Sequence, residues 1–443
     1  MDIAIALSVF TAGMITCIVT GISTIPGLII GYIAFALTGL HRKCTVKKLI
    51  RLSADGMRDV LVVIKVLLVI GALTATWRMS GTIIYFVYYG VKVITPKLFI
   101  LAAFALTCLI SYAIGTSFGV SATVGVILMA IARSGNINPA LAAGVIFSGV
   151  YYGDRCSPVS SAANVVAALT GTDMYGNVKY MHKTEALPLA ITTVIYAAMS
   201  YLNPIQTIDP NMLSAIEKDF TLSHLLIIPV IIMLVLPLFK LSTVTTCSLS
   251  IAASGLIAIF VQGQSPMVFL KACIFGYYPA GSALGSILSG GGMTSMLSVI
   301  VILLISCTYS KIFEGTGMLS DISELFMKCI KKIGRFATTV LFSFITVAIF
   351  CNQTLASIAC ATLLKEPYEK SGAEHRELAI DLENSVILIG GIVPWSIAAT
   401  VPLGFMGANI SAIPYAVLLY AIPLCYFFTK KRFFFQERSR VAL

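Results

Sequence analysis

Residues 150–173 read VYYGDRCSPVSSAANVVAALTGTD. An acid–base pair, Asp154-Arg155, stands before a proline, Pro158, and the polar side chains of Ser157, Ser160, Ser161 and Asn164 surround the break. All of this lies among apolar residues. Proline cannot continue a helical hydrogen-bond ladder, and lipid offers no partner to the backbone groups it frees. The stretch must therefore be buried in protein or line a wet cavity. Two readings are open. One is a short loop with a helix cap supplied by Asp154 or the serines. The other is a broken helix whose hydroxyls, amide and freed carbonyls face a substrate. Asp154 and Arg155 are expected to neutralise each other, because charges inside a membrane usually pair.

The surroundings identify the host. The chain has 443 residues, 58% hydrophobic and 11% charged, against about 25% charged in soluble domains. Mean hydropathy is +0.95. A soluble chain of this size could not cover so much apolar surface, which excludes a cytosolic enzyme, a disordered protein and a secreted disulfide scaffold. The expectation is an all-α polytopic membrane protein, with roughly 10–13 spans at about 20 residues each. A net charge of +11 does not point to nucleic acid, because the cations cluster between apolar runs as in cytoplasmic loops. The clusters are Arg42 to Arg58, then Lys328, Lys331, Lys332 and Arg335, and finally Lys430, Lys431, Arg432, Arg438 and Arg440. They place the C-terminus inside. Eleven scattered cysteines without CxxC spacing predict neither a metal site nor a disulfide framework. The first ten residues, MDIAIALSVF, lack a basic segment and a cleavage site, so no removed signal peptide is expected.

Apolar runs predict a helix pair within 3–40, broken near Gly21 to Pro26. Further spans are predicted near 60–77, 97–115, 138–152, 186–201, 224–240, 243–262, 294–310, 338–351, 384–401 and 411–428. Between them lie pieces too short or too broken to cross, at 82–91, 117–132, 154–170, 266–292 and 353–364, with the composition of re-entrant hairpins or discontinuous helices. An internal repeat is visible. Ser80-Gly81-Thr82 lies about 234 residues before Glu314-Gly315-Thr316, and the Ser157-Pro158 break meets Gly390-Gly391 and Pro394 at a similar offset. The division expected is an N-terminal helix pair and basic loop (1–58), a first transport repeat (59–202), a central linker with connecting helices (203–292) and a second repeat with its basic tail (293–443). Asp209, Glu217 and Asp219 make the 203–223 linker acidic. Two inverted repeats with matching broken segments are the pattern of a secondary transporter, with its site at the repeat interface.

Candidate site residues follow from the breaks. The counterpart stretch, 382–396, reads LENSVILIGGIVPWS. Glu383, Asn384 and Ser385 open it; Trp395 and Ser396 close it. Glu383 reads either as a ligand or as a snorkelling acid at a helix entry, and Trp395 either as a site residue or as part of the interfacial belt. Thr116-Ser117 and Asn352-Gln353-Thr354 put polar side chains where a span should continue, to bind an ion or to bond between helices. The Asn352 sequon is accidental in an apolar span. Lys65 sits inside a span, as a coupling cation or as a lysine snorkelling to the cytoplasmic face. Residues 115–119, GTSFG, match the hydrolase elbow, but none of His41, His182, His224 or His375 is placed mid-span to meet Ser117. An enzyme is not expected.

GVYYGDRCSPVSSAAN resembles the NhaC family of sodium/proton antiporters, within the larger ion-transporter superfamily. The resemblance runs through TWRMSGT, GTSFGVSATVG, GTDMYGNVKYMHKT, KIFEGTGML, LKEPYEKSG, LENS, VPWS and IPYAVLLYAIPL, nearly the whole chain. It implies an antiporter of the plasma membrane with two inverted repeats and re-entrant segments, exchanging Na+ for H+; some relatives move small carboxylates or amino acids. It also implies carboxylates at three positions that here read Ser161, Asn352 and Asn384. Hard cations favour oxygen ligands, and a carboxylate supplies the charge that offsets dehydration. Asp154 and Glu383 are the acids left to titrate in the broken segments. The alternative to sodium/proton exchange is therefore Na+-independent or H+-coupled transport of a small carboxylate or amino acid, with Lys65 standing in for the sodium charge. No cofactor is expected beyond the transported H+ and Na+. The partners expected are the lipid bilayer and one small ion or organic substrate, with no nucleic acid, and a homodimer is compatible with the sequence.

Overall fold

Helix follows helix along the chain, because an apolar segment in lipid must satisfy its backbone internally. The computed structural model describes residues 2–59, 61–93, 95–205, 216–239, 241–279, 288–318, 329–330 and 332–441. Among the described residues the only strand-like pairing is one bridge between Tyr277 and Gly290. Lys328, Lys331 and Asp209 lie outside the described residues.

The N-terminal hairpin is α1 (Asp2–Thr20) and α2 (Ile25–His41). The basic segment forms α3 (Val46–Asp59) and leads into α4 (Leu61–Met79) and α5 (Thr82–Val93). Next come α6 (Phe99–Ile114), α7 (Ser117–Val120), a π turn (Ser121–Gly125) and α8 (Val126–Ser134). The deciding stretch ends α9 (Pro139–Cys156) and forms α10 (Ser161–Thr170), followed by α11 (Met174–Leu202). The centre holds α12 (Ile228–Val235), α13 (Thr243–Phe260) and α14 (Pro266–Phe275). The second half is α15 (Leu297–Gly315), α16 (Arg335–Phe350), α17 (Gln353–Lys370), α18 (His375–Glu383), α19 (Val386–Ile392), α20 (Ile397–Phe405) and α21 (Val417–Val441).

Among the described residues, five helices are long and apolar enough to cross a membrane, two further bent pairs qualify together, and five shorter apolar helices remain. Three expected boundaries change. Residues 117–134 run on through the π turn as one apolar span, and α17 continues to Lys370 rather than stopping at 364. The expected 186–201 span is the second part of the 29-residue α11.

The repeat is sharper than the sequence offset suggests. Gly81 and Gly317, both at positive φ, end α4 and α15. Gly115 and Cys351, also at positive φ, end α6 and α16. Asn138 and Glu374 precede α9 and α18, and Ser160 and Ser396 cap α10 and α20. Every pair is 236 residues apart, so Pro158 corresponds to Pro394 and not to Gly390-Gly391. Packing is reciprocal: α10 meets α17 while α20 meets α7, and α11 meets α18 while α9 meets α21. Such exchange is the mark of a two-fold relation between the halves. Within the first half, small residues let α6 and α9 nearly touch. A Cβ on Gly149 would lie 2.1 Å from Thr107 Oγ1, and one on Gly153 would lie 2.0 Å from the Ser111 carbonyl. This small-xxx-small approach is typical of membrane helices, and it fixes the end of α9 that carries Asp154.

Candidate functional site

Arg155 does not pair with Asp154. Its guanidinium donates to Glu185 Oε2 at 2.5 Å and twice to Asn384 Oδ1, at 3.1 and 2.6 Å. It also donates to Thr184 Oγ1 at 3.1 Å and to the Met181 carbonyl at 3.3 Å. Met181, Thr184 and Glu185 share one face of α11 because residues three and four apart are neighbours on a helix. Arg155 is fully buried, and Glu185 nearly so. A buried guanidinium with its donors spent is a structural knot linking α9, α11 and the start of the second broken segment. The expected mutual neutralisation of Asp154 and Arg155 is therefore corrected. Neighbours in sequence on a helix point in different directions, and Glu185 wins the cation.

Asp154 is left with neutral partners. Its Oδ1 accepts from the Ser117 backbone N–H and its Oδ2 from Gln353 Nε2, both at 3.3 Å. Ser117 and Gln353 are repeat equivalents, so both halves hold one carboxylate. Gln353 Nε2 also donates to the Ile387 carbonyl at 3.0 Å. Glu383, the last residue of α18, is fully buried, and neither of its carboxylate oxygens has a hydrogen-bond partner in the protein. The Nδ2 of Asn384 is likewise unpartnered. The snorkelling reading of Glu383 fails, since its side chain does not reach the surface.

Most of the remaining candidates hold the breaks open. Thr116 accepts from the Gly119 N–H at 3.0 Å, and Asn352 accepts from Thr354 and Leu355 at 2.9 and 3.2 Å. Ser160 accepts from Ala163 at 3.2 Å and donates to the Asp154 carbonyl at 2.5 Å, while Ser396 accepts from Ala398 at 3.2 Å. Ser157 donates to the Tyr112 carbonyl at 2.6 Å. Ser385 donates to the Asp381 carbonyl at 2.6 Å. Trp395 is buried and donates to the Ala348 carbonyl at 3.0 Å, which removes it from an interfacial belt. Ser161, Asn164 and Thr354 are exposed, and the Asn164 amide folds back on the Pro158 and Ser160 carbonyls. Lys65 lies on the exposed face of α4, outside the buried cluster, which does not fit a cation fixed inside the site. In GTSFG, the Ser117 N–H donates to Asp154, and its carbonyl accepts from the Ser121 hydroxyl at 2.8 Å.

Sequence reasoning missed two groups. Glu185 and His182 fall just before the predicted 186–201 span, and only the full length of α11 brings them to Arg155. His182 Nδ1 lies 2.7 Å from Glu185 Oε1 and its Nε2 lies 3.4 Å from the Tyr112 hydroxyl. The second group joins the tail to α18. Lys430 pairs with Asp381 and, at 2.8 Å, with Glu377. Arg335 pairs with Glu377 at 2.8 Å, and Tyr368 and Tyr426 donate to Asp381 at 2.6 and 2.9 Å. Lys430 is therefore not a free tail cation. The i, i+4 spacing of Glu377 and Asp381 was the available signal.

A model of the Na+/H+ antiporter family matches residues 2–163 and 149–429. The chain belongs to the Na+/H+ antiporter family. It is 24% identical over 376 residues to the Na+/H+ antiporter NhaC of Alkalihalophilus pseudofirmus, covering 83% of this chain and 81% of that one. It is 28% identical over 370 residues to an uncharacterized Na+/H+ antiporter of Haemophilus influenzae, covering 80% and 79%. Over 454 residues it is 24% identical to the malate-2H+/Na+-lactate antiporter of Bacillus subtilis, covering 99% and 97%. As an antiporter of the NhaC type, the chain is a multi-pass secondary transporter, and a buried cluster of acids at the contact of its two halves fits that class.

Proposed function

We propose that this transporter exchanges Na+ for H+ across the plasma membrane and that Asp154 and Glu383 are the carboxylates the two cations share in turn. The observation that carries the reading is the unpartnered, fully buried carboxylate of Glu383, next in sequence to the Asn384 that Arg155 holds. Two carboxylates in a low-dielectric interior need a counter-charge, and Arg155 is already committed to Glu185. A bound sodium ion or a proton supplies it. Because both cations answer the same deficit, binding of one displaces the other, which is the coupling an exchanger needs. Oxygens of Asp154, Glu383 and the Gln353 side chain suit a hard cation. The basic clusters between apolar runs support a cytoplasmic C-terminus. Transport of a small carboxylate or amino acid was favoured by the neutral residues at 161, 352 and 384; the two retained acids weaken that case.

The test is reconstitution into liposomes with sodium and pH gradients imposed separately, alongside a panel of small carboxylates and amino acids. Sodium alone should drive proton movement in the opposite direction. Proton movement that needs an organic solute and ignores sodium would overturn the assignment.

A further inference from the structure

Cys156, His182 and Glu185 are not neighbours in any sequence motif, but one ligand atom from each lies within 4.8 Å of the others. Cys156 is the last residue of α9, just past the Arg155 knot, and its thiol donates to the Tyr152 carbonyl at 2.8 Å. His182 and Glu185 occupy one face of α11. The His182 side chain is 38% exposed while that of Glu185 is 3% exposed, so the cluster is open on one side only. A groove of about 350 Å³ lined by Cys108, Tyr112 and Tyr152 runs beside it.

We propose that Cys156 Sγ, His182 and Glu185 Oε1 form a three-donor site for a borderline-soft divalent cation of the zinc class, tethering α9 to α11. The donor set, a thiolate, an imidazole and a carboxylate, is one zinc accepts and sodium does not use. Tetrahedral zinc needs donors roughly 3.3–3.7 Å apart, so the 2.7 Å hydrogen bond between His182 Nδ1 and Glu185 Oε1 opens as the ion enters and Cys156 Sγ, within 4.8 Å of both, comes to the same spacing. The two oxygens of Glu185 divide the work. Oε2 stays on Arg155 while Oε1, now facing His182, takes the ion. The thiol gives up its proton to water on binding, and a water completes the fourth position. Asp154 and Glu383 take no part, so the site is separate from the proposed transport acids.

Tag-free full-length protein in detergent, titrated with Co2+ as the spectroscopic probe and then with Zn2+, tests this without any transport assay. Wild type should develop a saturable thiolate-to-cobalt absorption that zinc abolishes, and zinc should raise its unfolding temperature. Cys156→Ala should lose the absorption, and His182→Gln, at a partly exposed position that tolerates change, should bind cobalt at least about tenfold more weakly. No absorption in wild type would overturn the site, and so would absorption and zinc stabilisation that persist unchanged in both variants.

Discussion

Where the first half places Asp154-Arg155 before its proline break, the second half, 236 residues on, places Gly390-Gly391. Where the second half places Glu383-Asn384, the first has Phe147-Ser148. The backbone breaks coincide and the chemistry does not. A fully symmetric pair of halves would bring duplicate acids and arginines to the shared axis. Division of labour instead leaves one arginine, tied off by Glu185 and Asn384, and two acids without a cation. The glycines have their own task. A Cβ on Gly391 would lie 2.7 Å from the Tyr151 ring, and Tyr151 reaches across to donate to the Ala398 carbonyl at 2.9 Å. The second half thus yields volume at the position where the first carries charge.

The comparison breaks most visibly at the unpaired acids. Glu383→Gln and Asp154→Asn should each abolish sodium-driven exchange. Losing a unit charge at about 4 Å costs roughly 4 kcal/mol at an effective dielectric near 20, about a thousandfold in sodium affinity. Neither substitution should lower the unfolding temperature in detergent by much, since neither carboxylate is ion-paired. Glu185→Gln should do the reverse. It leaves Arg155 buried without its counter-ion, at about 3–5 kcal/mol of stability, read as a large drop in unfolding temperature. Gly391→Ala should cost about 1–3 kcal/mol by pressing on Tyr151, visible as a smaller drop.

The next pair separates two asparagines that the sequence treats alike. Asn384→Asp replaces an unpartnered amide nitrogen with a carboxylate oxygen beside Glu383 and should tighten sodium binding. Asn352→Asp keeps a helix cap and should change stability by no more than about 1 kcal/mol, with sodium affinity unchanged in a transport titration. The smallest effect is expected from Lys65→Met, whose exposed amine should leave the transport pH profile where it was.

Much of this was legible beforehand, for a physical reason. Proline, glycine and clustered hydroxyls mark where a span cannot continue, so the breaks at Pro158, Pro394 and Thr116 could be read from composition. Composition ends the 117–132 and 353–364 pieces too early, because polar residues inside a span look like an end when their bonding partners are unseen. The site was legible as a neighbourhood and not as a circuit. Asp154 and Arg155 are adjacent in sequence and point to different partners. Glu185, on α11, reaches Arg155 on α9 from 30 residues away in sequence. Whether a serine caps a helix or faces an ion depends on a backbone N–H whose position sequence does not give, as Ser160 and Ser396 illustrate.

The most direct test of the central claim is proton release on sodium binding. Purified protein in weakly buffered detergent should acidify the medium when sodium is added, and the Glu383→Gln and Asp154→Asn variants should not. Equal acidification by wild type and both variants would contradict the account, because the proton and the sodium ion would then be meeting elsewhere.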